Sequence, residues 1–136
     1  MKYASILLIV LIAVSNFWSQ SASATESAPD MVRYCRNLER GTKGRGKQIR
    51  IPNTKQALVC WGYMQAMQDM SVLVTPEGSK LIGSCPPEQT TLLRLIHIFV
   101  NYARSHRSEA QGNVAVTVIK ALQEAFPCGR DRAAVR

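Results

Sequence analysis

Few residues in this chain are equipped for chemistry: four cysteines, Cys35, Cys60, Cys85 and Cys128, two histidines, His97 and His106, and nine acids that stand singly. No C-x-x-C occurs and neither histidine is at ligand spacing with a cysteine, so no zinc site is expected. The chain also lacks H-E-x-x-H and G-x-S-x-G motifs. Gly41, Gly44 and Gly46 neither follow a strand nor open a helix, as a phosphate loop would require. His97 is the one conceivable general base, but it lies in a polar line with Arg94, Asn101 and Arg104 at helical spacing, which marks an exposed or interface histidine. The expectation is a non-enzyme with no catalytic residue, metal or cofactor.

The cysteines therefore need a structural reading, and their compartment supplies it. Residues 1–24 have the form of an export signal: Lys2, an apolar run from Ala4 to Val14, and a small-x-small site at Ala22-Ser23-Ala24. The run is too short to cross about 30 Å of hydrocarbon, so no stable membrane insertion is expected. Export to a periplasmic or extracellular space makes two disulfides the default for an even cysteine count. The remaining residues, 25–136, are enough for one domain with an ordinary core. With 46% hydrophobic residues and 19% charged, the chain is not of the disordered or collagen-like class.

Apolar periodicity supplies the elements that must position the cysteines. Met31, Tyr34, Cys35 and Leu38 share one face of a short first helix opened by Pro29. Asn53 with Gln56 resembles a capping box for a second helix, in which Ala57, Cys60, Met64, Met67 and Ser71 continue at helical spacing. A third helix runs from Thr90 or Thr91 to about Ser105, with an apolar arc wider than a surface helix needs. Such a helix is either central or shared with a second copy. Ser108 and Gln111 form another capping-box pattern before a fourth helix that ends at Phe126, where Pro127 and Gly129 stop it. Between the first and second helices, Gly41 to Pro52 reads as a basic loop, and Val74 to Pro86 as a second long loop.

The short turn between the third and fourth helices makes them antiparallel. The start of one then lies beside the end of the other, which is where Cys85 and Cys128 sit. That pairing leaves Cys35 and Cys60, both facing inward, to staple the first helix to the second. The fold class expected is all-α, a small disulfide-stapled four-helix bundle behind a signal peptide.

Net charge is +8, and Arg40, Lys43, Arg45, Lys47 and Arg50 are concentrated in the first loop, with no acid between Glu39 and Asp69. Such a loop steers an anionic partner. Export and the lack of aromatic residues in the loop argue against nucleic acid. A negatively charged protein surface or envelope polymer fits better, and a solvated loop that only adds solubility is the plain alternative.

Several short motifs occur in order: Cys60-Trp61-Gly62-Tyr63 on a helix, Cys85-Pro86-Pro87, a helix with Tyr102 and His106, and Ala125-Phe126-Pro127-Cys128. Together, over about residues 30–128, they resemble the Rap/Tai family of type VI secretion immunity proteins. The resemblance implies a small, helical, disulfide-bonded periplasmic protein that binds a cognate peptidoglycan amidase toxin, blocks its cleft with a projecting loop and often acts as a homodimer. On that reading Leu81 and Ile82 form a rigid apolar tip on the second loop, and Lys43, Arg45 and Lys47 on the first accelerate association. The alternative is a small periplasmic helical chaperone of the acid-stress type, or an orphan secreted binding protein. Broad client binding, and a dimer that falls apart in acid, would distinguish the chaperone.

Overall fold

A computed structural model describes residues 27–45 and 48–129, so the expected signal peptide and the start of the mature chain at Thr25 lie outside the described residues. Four helices carry the fold: α1 (Ala28–Gly41), α2 (Lys55–Val72), α3 (Leu92–Ser105) and α4 (Val114–Ala125). One expectation needs correcting, because the molecule is mostly helical rather than all-α. The Gly41 to Pro52 segment holds two antiparallel strands, β1 (Lys43–Arg45) and β2 (Gln48–Arg50), with Lys43 opposite Arg50 and Gly44 opposite Ile49. Glycine and proline break a helix, but they do not prevent a three-residue ladder.

Each helix begins where a short polar side chain can accept the free backbone amides of its first turn. Ser27 caps α1 by accepting from Asp30 N, and Thr91 caps α3 by accepting from Arg94 N. Two starts differ from the sequence reading. Thr54, rather than Asn53, caps α2 by accepting from Ala57 N. Ser108 opens only a 3-10 turn, Glu109–Gln111, while Asn113 caps α4 by accepting from both Ala115 N and Val116 N.

The wide apolar arc of α3 is explained by its place at the centre. It touches α1, α2 and α4, and Leu92, Leu95, Ile96, Phe99 and Val100 are all buried. Arg94, His97, Asn101 and Arg104 form its exposed line, as their spacing requires. A second copy is therefore not needed to cover this arc. Around α3 the core is completed by Met31, Leu38, Met64, Val118 and Leu122.

The cystines pair Cys35 with Cys60 and Cys85 with Cys128. The first joins α1 to α2 inside the core, where both residues are fully buried. The second ties the end of α4 to the segment before α3, beside a backbone bond of 2.8 Å from Cys85 N to Phe126 O.

Gly62 stands in the interior of α2, where a Cβ would meet nothing within 4 Å. Glycine there costs helix stability with no packing in return. Gly62→Ala should raise stability by about 0.5 to 1 kcal/mol, seen as a melting temperature about 4 °C higher in a thermal unfolding experiment.

Candidate functional site

Apart from Leu58 in its first turn, the large apolar residues that α2 leaves exposed are gathered at its C-terminal end. From Met70 to Val74 the sequence reads Met-Ser-Val-Leu-Val, and only Ser71 of the five is buried. Val72 is 66% exposed, Leu73 50%, Val74 59% and, across the following turn, Leu81 50%. Elsewhere on the helices exposed residues of these types stand singly, as Leu58 and Val116 do, so their concentration here marks a contiguous apolar patch.

Backbone bonds hold these side chains together. Leu81 N donates to Leu73 O at 2.9 Å, Val74 bridges Lys80, and Thr75 N donates to Ser79 O at 2.8 Å, closing the small loop 72–81 at its neck. At its tip Gly78 takes φ +81°, a left-handed value that suits glycine, while Gly78 N donates to Thr75 O. The Thr75 hydroxyl makes no well-formed hydrogen bond of its own, yet it lies close enough to hold the Glu77 carboxyl below the usual range, together with the Glu77 backbone amide. The tip therefore carries an ionised acid beside its apolar walls.

The base of the loop is braced. Gln123 on α4 donates through Nε2 to Ile82 O at 2.9 Å, Gly83 N donates to Lys80 O, and Ser84 bridges Pro127 beside the Cys85–Cys128 cystine. Gly83 has φ +64°, and a Cβ there would come within 2.9 Å of Gln123 Nε2, so the brace depends on glycine. A side-chain-sized cavity of about 200 Å³, lined by Gln68, Val72, Lys80 and Pro87 among others, opens at the foot of the loop.

The sequence-derived contact residues separate in this geometry. Leu81 is exposed on the loop as expected, but Ile82 is only 4% exposed and belongs to the core, so it is not available for contact. Leu81 and Ile82 are the two central residues of the turn that Gly83 N closes onto Lys80 O, and this turn leaves one facing solvent and the other facing the core. Lys43 is exposed on β1, and Arg45 follows two residues later on the same strand. Lys47 lies outside the described residues. Val72, Leu73 and Val74 went unnoticed in the sequence, although an apolar run that overshoots the last buried helical position was the available signal.

His97 forms no catalytic arrangement. Its Nδ1 donates to Glu39 Oε1 at 3.1 Å, which ties α3 to α1, and its Nε2 accepts from Asn101 Nδ2 at 2.8 Å within α3, so both nitrogens are engaged. The second histidine, His106, which belongs to the quoted motifs, stacks on Tyr102 with ring centres 4.2 Å apart, and the Tyr102 hydroxyl donates to Glu109. Glu109 also accepts from Lys120 at 2.7 Å, a contact that holds its carboxyl below the ordinary range. These residues join α3, the 3-10 turn and α4. Among the described residues no cluster of three or more His, Cys, Asp or Glu could hold a metal ion, and no helix is long and apolar enough to cross a membrane.

The described residues thus form a disulfide-stapled helical scaffold that carries a braced, exposed apolar loop. The family follows from comparison: residues 27–128 match the model of the Rap1a immunity proteins, and the chain belongs to that family. No curated protein and no solved structure matches it.

Proposed function

We propose that this protein is a periplasmic immunity protein that neutralises a type VI secretion effector of the peptidoglycan amidase class by seating the loop 72–81 against the toxin's catalytic cleft. Family membership supports binding of a cognate toxin, and the two cystines fit an oxidising compartment. The observation that carries the loop assignment is the exposure of Val72, Leu73, Val74 and Leu81 on a segment whose base is fixed. A loop ordered before it binds loses little conformational freedom on binding. Full burial of a Val or Leu side chain is worth about 1.5 to 3 kcal/mol, so covering the exposed half gives about 1 kcal/mol from each.

Two neighbouring readings are less well supported. The homodimer was expected from the wide arc of α3, which the monomer itself buries. Self-association would now have to use the apolar loop and compete with the toxin. An acid-activated chaperone must hide apolar surface at neutral pH, whereas the loop is open in the single chain and needs no acid to uncover it.

The assay that tests the proposal is peptidoglycan cleavage by type VI amidase effectors of a panel that includes the cognate one, with the oxidised protein titrated in. Cleavage by the cognate effector should fall linearly and stop at one equivalent; undiminished cleavage by every effector at tenfold excess would defeat the reading. The cationic hairpin acts on rate. Replacing Lys43, Arg45 and Lys47 with glutamine should slow association about five- to tenfold at low salt, with the difference vanishing at high salt and the dissociation rate unchanged. Stopped-flow binding at two ionic strengths checks this.

A further inference from the structure

At the opposite end of α3 from the apolar loop lies an open cavity of about 370 Å³. Arg36 of α1, Arg104 of α3 and Arg107 just beyond α3 line it, over a floor that includes Val32, Ala103 and Ala110. Gln111 donates through Nε2 to the Arg107 carbonyl at 3.1 Å, which holds the 3-10 turn against the arginine that precedes it. Three guanidiniums that line one concavity repel one another, and among the described residues none of them pairs with an acid. The acids nearest in sequence are already engaged: Glu39 with His97, Asp30 with Arg33 and Ser27, and Glu109 with Lys120 and Tyr102. The C-terminal dipole of α3 accounts for one of the three, Arg104 in its last turn, and leaves Arg36 and Arg107 unexplained.

We propose that this cavity is a binding site for a phosphate group, held as free phosphate or as the head group of an envelope lipid. A carboxylate is matched by one guanidinium in a two-bond fork, and the donors of three arginines exceed what its two oxygens accept. A phosphate monoester offers three terminal oxygens and close to two negative charges, which suits three planar forks. The partly apolar floor does not compete for those donors. Because α3 is 14 residues long, the cavity is roughly 20 Å from the loop 72–81. The site is therefore separate from the proposed toxin contact, and its failure would leave that reading untouched.

The test is calorimetric titration of the oxidised protein with inorganic phosphate, paired with flotation on phosphatidic acid vesicles and on phosphatidylcholine vesicles. The expected result is saturable binding that weakens at least about tenfold in the variant R36Q/R104Q/R107Q, since each removes a charge-assisted fork. The charge-matched variant K43Q/R50Q/K55Q should bind like the unaltered protein. Arg36→Gln alone, on an exposed helical position, should weaken binding at an unchanged melting temperature, which separates loss of the site from loss of the fold. Arginine-dependent binding of free phosphate identifies the soluble ion as ligand. Arginine-dependent flotation with phosphatidic acid alone identifies the lipid head group. Absence of both, or equal weakening in the charge-matched variant, overturns the proposal.

Discussion

Reduction should unfold this protein. The two cystines close loops with sequence separations of 25 and 43 residues, and confining the unfolded chain to that extent is worth about 3.5 and about 4 kcal/mol. Together that is comparable to the whole net stability of an ordinary domain, about 5 to 15 kcal/mol. Replacing Cys35 and Cys60 with alanine should lower the melting temperature by about 15 °C, and the same change at Cys85 and Cys128 by slightly more. The two variants should differ in function. Cys85–Cys128 braces the base of the loop 72–81, so its loss should weaken toxin binding beyond the effect on stability, while loss of Cys35–Cys60 should not. Circular dichroism melts with and without reductant check the first claim. A melting temperature unmoved by reductant would contradict it.

The second large effect belongs to the loop. Leu73→Ser with Leu81→Ser removes two half-exposed leucines whose backbones are hydrogen-bonded across the neck of the loop and which lie outside the buried core. The fold should tolerate the change. Dissociation from the toxin should quicken by roughly 30- to 100-fold, the equivalent of about 2 to 3 kcal/mol, with the association rate nearly constant. Ile82→Ser tells the two faces of the segment apart. Ile82 is buried among the core residues, so its substitution should appear as lost stability of about 3 kcal/mol or more rather than as a simple change in dissociation rate.

Much of this arrangement was legible in the residues themselves. The four helices follow from apolar spacing, because each has one face that must be buried, and the cystine pairing follows from which helix ends an antiparallel turn brings together. What escaped depended on contacts between residues far apart in sequence. Leu81 and Ile82 are adjacent and equally apolar, and only the Gln123 bond to Ile82 O and the turn at Gly83 decide which one faces the core. Ser108 with Gln111 looks like a helix start, but Asn113 satisfies two amides at once and places the start of α4 later. The strands of the basic hairpin are three residues each, too short for an alternating pattern to stand out. The arginine cavity joins residues from α1, α3 and the turn after it, a grouping that no single stretch of sequence displays.

The most direct test of the account is survival of bacteria that direct a panel of type VI peptidoglycan-cleaving effectors to their periplasm, with this protein co-exported. One amidase should become harmless in the presence of the unaltered protein and remain lethal with the Leu73→Ser and Leu81→Ser variant at equal abundance. Failure to protect against any effector, or full protection by the variant, would contradict the claim that this chain neutralises an amidase through its apolar loop.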